Sequence, residues 1–269
     1  MIIFASEKVV PSFEQNLTIC LQPQRLSCSL TSVRGDLLKL GEYPIADHPS
    51  MAEAMGQLKQ ALADWGVSPI GLNSSRVVVN ADSFVWVPDS LYEAGKERQC
   101  LAAVCDIPAG ASLLCDHNDL VQAQCIFACD SNWASAFKIV LPGVKLRCQH
   151  SLFANETTFA KSQGKNLMIV QVREGVSDFI VLSNKSFQMC NTFSADNIDE
   201  VVYSALNVVN TLQLGDADWE VMLCGAVDRE QAAKVCRFFP TVSLYQGTTV
   251  SRITPEVAAL FLHQYAVVL

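Results

Sequence analysis

Hydrophobic and polar positions follow one order of short runs twice along this chain, most plainly in its second half. Leu167-Met168-Ile169-Val170-Gln171-Val172 is an apolar run bounded by Arg173, Glu174 and Gly175. Phe179-Ile180-Val181-Leu182 follows and closes on Ser183-Asn184-Lys185, and Phe187 to Phe193 alternates apolar with polar. Three short runs separated by turn residues predict an antiparallel meander. Asp196 can cap the next element, with Asp199 and Glu200 in its first turn. Val201, Val202, Ala205, Val208, Val209 and Leu212 then recur at helical spacing until Leu214-Gly215-Asp216. Glu220 to Cys224 is a strand broken by Gly225, a helix runs from Arg229 to about Phe239, and Thr241 to Tyr245 is a strand. Pro255 opens a last helix through Ala258, Leu262 and Tyr265. The predicted order is βββαβαβα.

The first half opens the same way. Leu17-Thr18-Ile19-Cys20-Leu21 is a strand, Gln22-Pro23-Gln24 a turn, and Leu26 to Thr31 an alternating strand. Leu37 to Tyr43 is the third strand, ended by Pro44. A helix covers Met51 to Trp65, with Met55, Leu58 and Leu62 on one face. Arg76 to Asn80 is a strand, Phe84 to Pro88 is extended, and Asp89 or Ser90 can cap a helix to about Val104. Asn16-Leu17-Thr18-Ile19-Cys20-Leu21-Gln22 reads against Asn166-Leu167-Met168-Ile169-Val170-Gln171-Val172, which suggests internal duplication. Between the halves, Ser112 to Cys115 and Val121 to Phe127 read as strands around the turn Asp116-His117-Asn118-Asp119. A helix starts at Ser131 or Asn132 and ends before Pro142-Gly143. The polar stretch from Asn155 to Gln163 is the expected crossing between halves.

Composition narrows the classes. Of 269 residues, 50% are hydrophobic and 17% charged, so the apolar surplus calls for wide covered sheets or an oligomeric interface rather than disorder. Net charge is −8 and the densest basic stretch is only Lys96-Glu97-Arg98, which argues against nucleic acid as a partner. The eleven cysteines are expected to be free thiols acting as small core residues of a cytoplasmic protein. Asn73-Ser74-Ser75 and Asn155-Glu156-Thr157 fit the glycosylation pattern, which matters only if the chain is secreted. The start Met1-Ile2-Ile3-Phe4-Ala5-Ser6-Glu7-Lys8 lacks a basic region and is not read as a signal peptide, and no run is long enough to span a membrane.

Two halves that each open with three antiparallel strands and then αβα resemble the actin, heat-shock ATPase and sugar-kinase superfamily. Within it, Leu17 to Leu21, Phe84 to Pro88, Leu167 to Phe193 and Val221-Met222-Leu223-Cys224-Gly225 resemble an uncharacterised bacterial family with an actin-like ATPase fold. The resemblance implies an α/β protein of two related actin-like (ribonuclease H-like) lobes, residues 1–150 and 151–269, each with a mixed sheet flanked by helices. It also implies ATP bound between the lobes. The first hairpin of each lobe would supply a phosphate turn with an Asp for the Mg²⁺ shell and Gly and Ser/Thr near phosphate oxygens. A later glycine pair would admit the base.

The matching positions here are Gln22, Gln171, Gly175, Ser177, Asp178 and Gly225. The first turn, Leu21-Gln22-Pro23-Gln24-Arg25, has no acid and no glycine, and Pro23 removes an N–H donor. Gln171 stands where the metal-organising Asp would be, and Glu174 would set a carboxylate near phosphate. Only Gly175, Ser177 and Asp178 keep the pattern, and Cys224-Gly225-Ala226 keeps one glycine. No P-loop, Gly-x-Gly-x-x-Gly or Gly-x-Ser-x-Gly is present. His48, His117, His150 and His263 are scattered; His117 beside Asp116 and Asp119 reads as a solvated turn. Cys125 and Cys129 share a strand face, with Cys115 on the partner strand, and read as core. A nucleophilic Cys224 would need a base beside it. The expectation is a non-enzymatic interaction or scaffold protein with no cofactor and no metal, a protein partner and scope for homo-oligomers. Its rival is an ATPase or kinase binding ATP with Mg²⁺ through acids such as Asp82 or Asp178.

Overall fold

Short apolar strands cannot bury themselves singly, and this chain gathers them into two large sheets and one small one, each covered by helices. The computed structural model describes residues 1–269 apart from 23, 48, 215, 216, 248, 249, 251, 253 and 259. Readings that rest on Pro23, His48, Gly215 and Asp216 therefore lie outside the described residues.

In chain order the first part contains β1 (Ile2–Ala5), β2 (Gln15–Gln22), β3 (Arg25–Ser32), β4 (Leu37–Pro44), α1 (Met51–Asp64) and β5 (Ser74–Val79). There follow β6 (Phe84–Pro88), α2 (Glu97–Ala102), β7 (Ala111–Asn118), β8 (Ala123–Asp130), α3 (Ser131–Val140) and β9 (Lys145–Cys148). Two short helices, α4 (Gln149–Phe153) and α5 (Glu156–Lys161), lead to β10 (Asn166–Arg173), β11 (Val176–Ser183) and β12 (Ser186–Ser194). The chain ends with α6 (Ile198–Leu212), β13 (Trp219–Gly225), α7 (Arg229–Val235), β14 (Thr241–Leu244), α8 (Pro255–Ala258) and a 3₁₀ turn at Leu262–Tyr265.

The two large sheets run β1-β4-β3-β2-β5-β9 and β12-β11-β10-β13-β14, and the small one β6-β8-β7. Without β1, the first has the same order as the second. In both, the opening hairpin is antiparallel and its first strand also pairs in parallel with the strand after the helix. This is the two-lobed α/β architecture expected from the sequence.

Each large sheet has one face under helices and one toward the other lobe. Leu17, Ile19 and Val77 pack with Leu58 and Leu62 of α1 and Phe137 of α3. Met168, Val170, Val221 and Leu223 pack with Val201, Val202 and Ala205 of α6 and Val235 of α7. The inner faces meet in a third core, where Cys20 and Val78 join Leu167, Ile169, Ile180 and Met222. Phe153, Phe159 and the last residues Val267, Val268 and Leu269 fill this seam. The Ser29 hydroxyl donates to the Val268 carbonyl, and Tyr265 donates to Glu42 at 3.2 Å. His263 meets the Val227 carbonyl at 2.8 Å, so the terminal segment straps both lobes.

Several boundaries differ from expectation, each for a local reason. The helix expected from Asp89 or Ser90 to Val104 is only Glu97–Ala102, because Pro88 and Asp89 start tight turns and Gly95 adopts φ +90°. The turn expected at 116–119 lies at 119–122, where Gln122 takes φ 54°, and Asp116, His117 and Asn118 extend β7. Cys115 pairs with Ile126 and Asp116 with Cys125, so Cys115 faces away from Cys125 and is exposed. Asn197, not Asp196, caps α6, accepting from the Asp199 and Glu200 N–H groups.

The matching of Asn16 with Asn166 is out by one. The last pair of the first hairpin is Gln22 with Arg25 and that of the second Arg173 with Val176, which sets Gln22 against Arg173 and Cys20 against Gln171. The faces agree, since Leu17 and Met168 both lie under helices. A one-residue slip turns every side chain to the wrong face of a strand.

Candidate functional site

Residues at the ends of the two opening hairpins border a cleft of about 470 Å³ between the lobes. The first lobe contributes Gln22, Arg25, Asp47, Asn80, Asp82 and Trp133; the second contributes Val172, Arg173, Glu174 and Ala226. A smaller hollow of about 280 Å³ adjoins it, sharing Leu21, Asn80, Asp82 and Trp133.

The two guanidiniums in the cleft are already engaged. Arg25 donates to Gln22 and lies 3.5 Å from Glu42. Arg173 grips Asp178 with two bonds, Nε to Oδ2 at 2.7 Å and Nη2 to Oδ1 at 3.0 Å, a fork geometry that fixes both partners. Asp82 is a further 3.8 Å neighbour of Arg173 and its side chain is mostly exposed.

Of the positions singled out from sequence, only Gln22 lines this cleft, joined by Glu174 and Asp82. Gly175 turns the second hairpin at φ +71°. Ser177 is buried and its Oγ has no hydrogen-bond partner. Gln171 is buried toward the seam, with Oε1 likewise unpartnered. Gly225 serves strand packing: at φ +84°, a Cβ there would sit 2.2 Å from the Val172 carbonyl oxygen. Cys224 is fully buried, and burial pushes its thiol up, away from nucleophilic character. His117 is partly exposed, 3.0 Å from Asp89 and 3.4 Å from Asp119.

Asp178 is the centre of a different arrangement. Its carboxylate is fully buried in the seam, where it accepts from the Thr192 hydroxyl at 2.7 Å and meets His150 Nε2 at 3.1 Å. The other ring nitrogen of His150, Nδ1, faces Cys148 Sγ at 3.3 Å. Cys148 ends β9 and His150 lies in α4, whereas Arg173, Asp178 and Thr192 belong to β10, β11 and β12. The chain Cys148–His150–Asp178–Arg173 therefore bridges the two sheets.

Its electrostatics follow from the partners. Burial disfavours the Asp178 carboxylate, but hydrogen bonds from His150 and Arg173 and their charges outweigh it and hold the carboxyl far below the usual range. Burial disfavours the His150 imidazolium, and Cys148 and Asp178 outweigh it, raising His150. Burial would raise the Cys148 thiol, yet contact with Cys125 and with His150 draws it down. Cys20, equally buried but without a cation in contact, is pushed up to about 11, chiefly by desolvation.

Sequence reading left Cys148 and His150 unassigned. The available signal was the Cys-x-His spacing of Cys148-Gln149-His150, but the third member lies on another sheet. Asp116 completes the frame: it accepts from the Cys148 N–H and the Ser151 hydroxyl, each at 2.7 Å, and is ion-paired with Arg147. The Gln149 Oε1 accepts the Ala81 N–H at 2.7 Å. All eleven cysteines carry free thiols. Among the described residues, no group of three or more His, Cys, Asp or Glu is placed to hold a metal ion, and no helix is long and apolar enough to cross a membrane.

The family described as "Protein of unknown function (DUF3822)" matches residues 9–240. A search of curated proteins returns no match. Among solved structures, the chain is similar to a Bacteroides thetaiotaomicron protein of actin-like ATPase fold and unknown function. That likeness has a TM-score of 0.73 and 16% identity, over 87% of this chain and 91% of the other. It is also similar to a chain of the PilM–PilN type IV pilus biogenesis complex, at TM-score 0.65 and 12% identity over 96% and 97% of the two chains. The ethanolamine utilization protein EutJ from Carboxydothermus hydrogenoformans gives TM-score 0.53 at 9% identity, over 98% and 91%. At these identities the likeness shows the fold, which is actin-like.

Proposed function

We infer that this chain, which belongs to that family of unknown function, is a non-enzymatic interaction protein that uses an actin-like fold without its phosphate chemistry. The lobes of this reading are residues 1–150 and 151–269. The observation that carries it is the placement of Asp178. A carboxylate that organises Mg²⁺ must face the cleft with free lone pairs. Asp178 instead lies buried in the seam, with Arg173, His150 and Thr192 on its oxygens.

The cleft also opposes a polyphosphate electrostatically. Asp47, Asp82 and Glu174 line it, and Arg25 and Arg173 are each committed to groups of the protein itself. Bringing a triphosphate into this setting strips water from its charge beside three carboxylates and two guanidiniums that are already paired, which costs several kcal/mol. A protein of the same fold, PilM, is described in complex with PilN, which supports a protein partner as the general expectation. Cytoplasmic location belongs to the same proposal.

The test is a thermal melt with millimolar Mg-ATP, Mg-ADP or neither. A ligand at 100 times its Kd stabilises the folded state by about 2.7 kcal/mol, a shift of several degrees. No shift is expected. A shift abolished by chelator would favour the rival ATPase or kinase, with the exposed Asp82 as the leading carboxylate for Mg²⁺.

A further inference from the structure

Cys148, His150 and Asp178 stand in the order of a nucleophile, a base and a group that orients the base. Contacts of 3.3 Å and 3.1 Å link them through the two opposite nitrogens of one imidazole. The orienting carboxylate is itself fixed by the Arg173 fork and the Thr192 hydroxyl. The fold does not need this arrangement: a buried ionisable triad is commonly replaced by apolar residues at no loss of stability. Phe84, half-buried, stacks on the imidazole with ring centroids 3.8 Å apart. It forms a cover on one side of the triad.

We propose that Cys148 is a masked nucleophilic thiol, activated by His150 and Asp178, and that it is a modification site for low-molecular-weight disulfides when the Phe84 cover or the lobe seam opens. In the reaction the Cys148 thiolate attacks one sulfur of the incoming disulfide. The old sulfur–sulfur bond breaks, and a mixed disulfide forms on Cys148. The expelled thiolate takes its proton from the His150 imidazolium, leaving neutral imidazole. One disulfide and one thiol are consumed, and one mixed disulfide and one thiol result. Because the nucleophile is on one lobe and the orienting carboxylate on the other, the adduct would occupy the seam and hold the lobes apart.

The groups around the pair are defined on every side. His150 meets Cys148 of β9, Asp178 of β11, Thr192 of β12 and the Phe84 ring of β6. Beyond them lie Arg173 of β10 on Asp178, Asp116 of β7 on the Cys148 N–H, and the thiols of Cys125 on β8 and Cys190 on β12. Burial opposes the Cys148 thiolate, and the Cys125 contact and then the imidazolium favour it, whereas burial raises Cys190 and both Cys148 contact and burial raise Cys125.

The full chain is incubated with glutathione disulfide across about pH 5.5 to 9, where thiolate fraction controls exchange, and adducts are mapped residue by residue by mass spectrometry. The exposed Cys115 and Cys236 serve as internal references. Cys148 is expected to react with a midpoint at least one pH unit below the roughly 8.5 of an ordinary thiol. Phe84→Ala should raise its rate about tenfold or more, as loss of a covering group raises access, without moving that midpoint. His150→Gln should move the midpoint up, into the ordinary range or above it, because burial then acts without an adjacent cation. An independent reading is the ultraviolet thiolate absorbance of wild type minus Cys148→Ser, which should titrate below the ordinary thiol range and needs no folded His150 variant. The proposal is overturned if Cys148 stays free in wild type and Phe84→Ala while Cys115 and Cys236 saturate. It is equally overturned if the absorbance difference titrates as an ordinary thiol.

Discussion

The two opening hairpins share a backbone plan and differ in charge. Each pairs two strands of 8 residues, and each turns one face to helices and one to the other lobe. On the inner face of the first lie Cys20 and Ser27; at the matching places of the second lie Gln171 and Asp178. Ser27 is a buried hydroxyl with no hydrogen-bond partner, a small cost that the fold carries. Asp178 is a buried charge, which a protein interior tolerates only when paired. It recruits Arg173 from its own hairpin and His150 from the other lobe. The same scaffold position is thus silent in one lobe and a tie between lobes in the other.

The strongest difference between the hairpins is expected at Asp178. Asp178→Ala leaves Arg173 and His150 without their anion and should cost about 3–5 kcal/mol in urea unfolding. Ser27→Ala should change stability by less than about 1 kcal/mol. Equal costs would mean that the charge does not distinguish the hairpins. The acid limb gives the sign. Asp178 has a folded pKa depressed below its unfolded value, so its contribution is present above about pH 4–5 and lost as pH falls further. Wild type should therefore lose stability more steeply below about pH 4 than Asp178→Asn. His150 and Cys148 have opposite shifts, so transfer of a proton between them leaves the bound total unchanged. They should give little slope between about pH 6.5 and 8.5.

Next in size is a contrast between two glycines. Gly225→Ala drives a Cβ into the Val172 carbonyl at positive φ and should cost about 3 kcal/mol or more. Gly175→Ala, also at positive φ but with only an ordinary contact of 3.9 Å to Asp196 Oδ1, should cost about 1 kcal/mol. Chemical denaturation of both variants checks the pair, and a reversed order would remove the strand-packing role of Gly225. The smallest contrast is between helix caps. Asn197 accepts two N–H groups of α6, and Ser50 accepts one of α1. Asn197→Ala should cost about 1 kcal/mol and Ser50→Ala about half that; equal losses would show that the second acceptor contact adds nothing.

Elements with strong local signals were legible. The runs from Leu167 and Phe179, the helical spacing from Val201 and the alternation from Leu26 all became strands and helices where their periodicity placed them. Lys145–Cys148 was not legible as a strand, because four residues carry too little period and its pairing with β5 comes from far along the chain. The hairpin register escaped by one because repeated apolar residues match equally well at neighbouring offsets, and only the helix-covered face decides between them. At the site, Gln22 and Glu174 were found through the turns that present them. Cys148 and His150 were not assigned, since a Cys-x-His spacing gains chemistry only when a carboxylate arrives from another sheet.

Two βββα openings, a hydrophobic excess that demands covered sheets, and hairpin turns poor in phosphate-binding groups can all be read along the chain. Those properties are local, set by side-chain period, turn residues and composition. That Asp178 faces the seam rather than the cleft, and that Cys148, His150 and Arg173 gather around it, follows instead from how the two sheets pack. The physical reason is that a buried charge draws its partners from wherever the fold brings donors within about 3 Å, a distance in space that spacing along a chain does not encode.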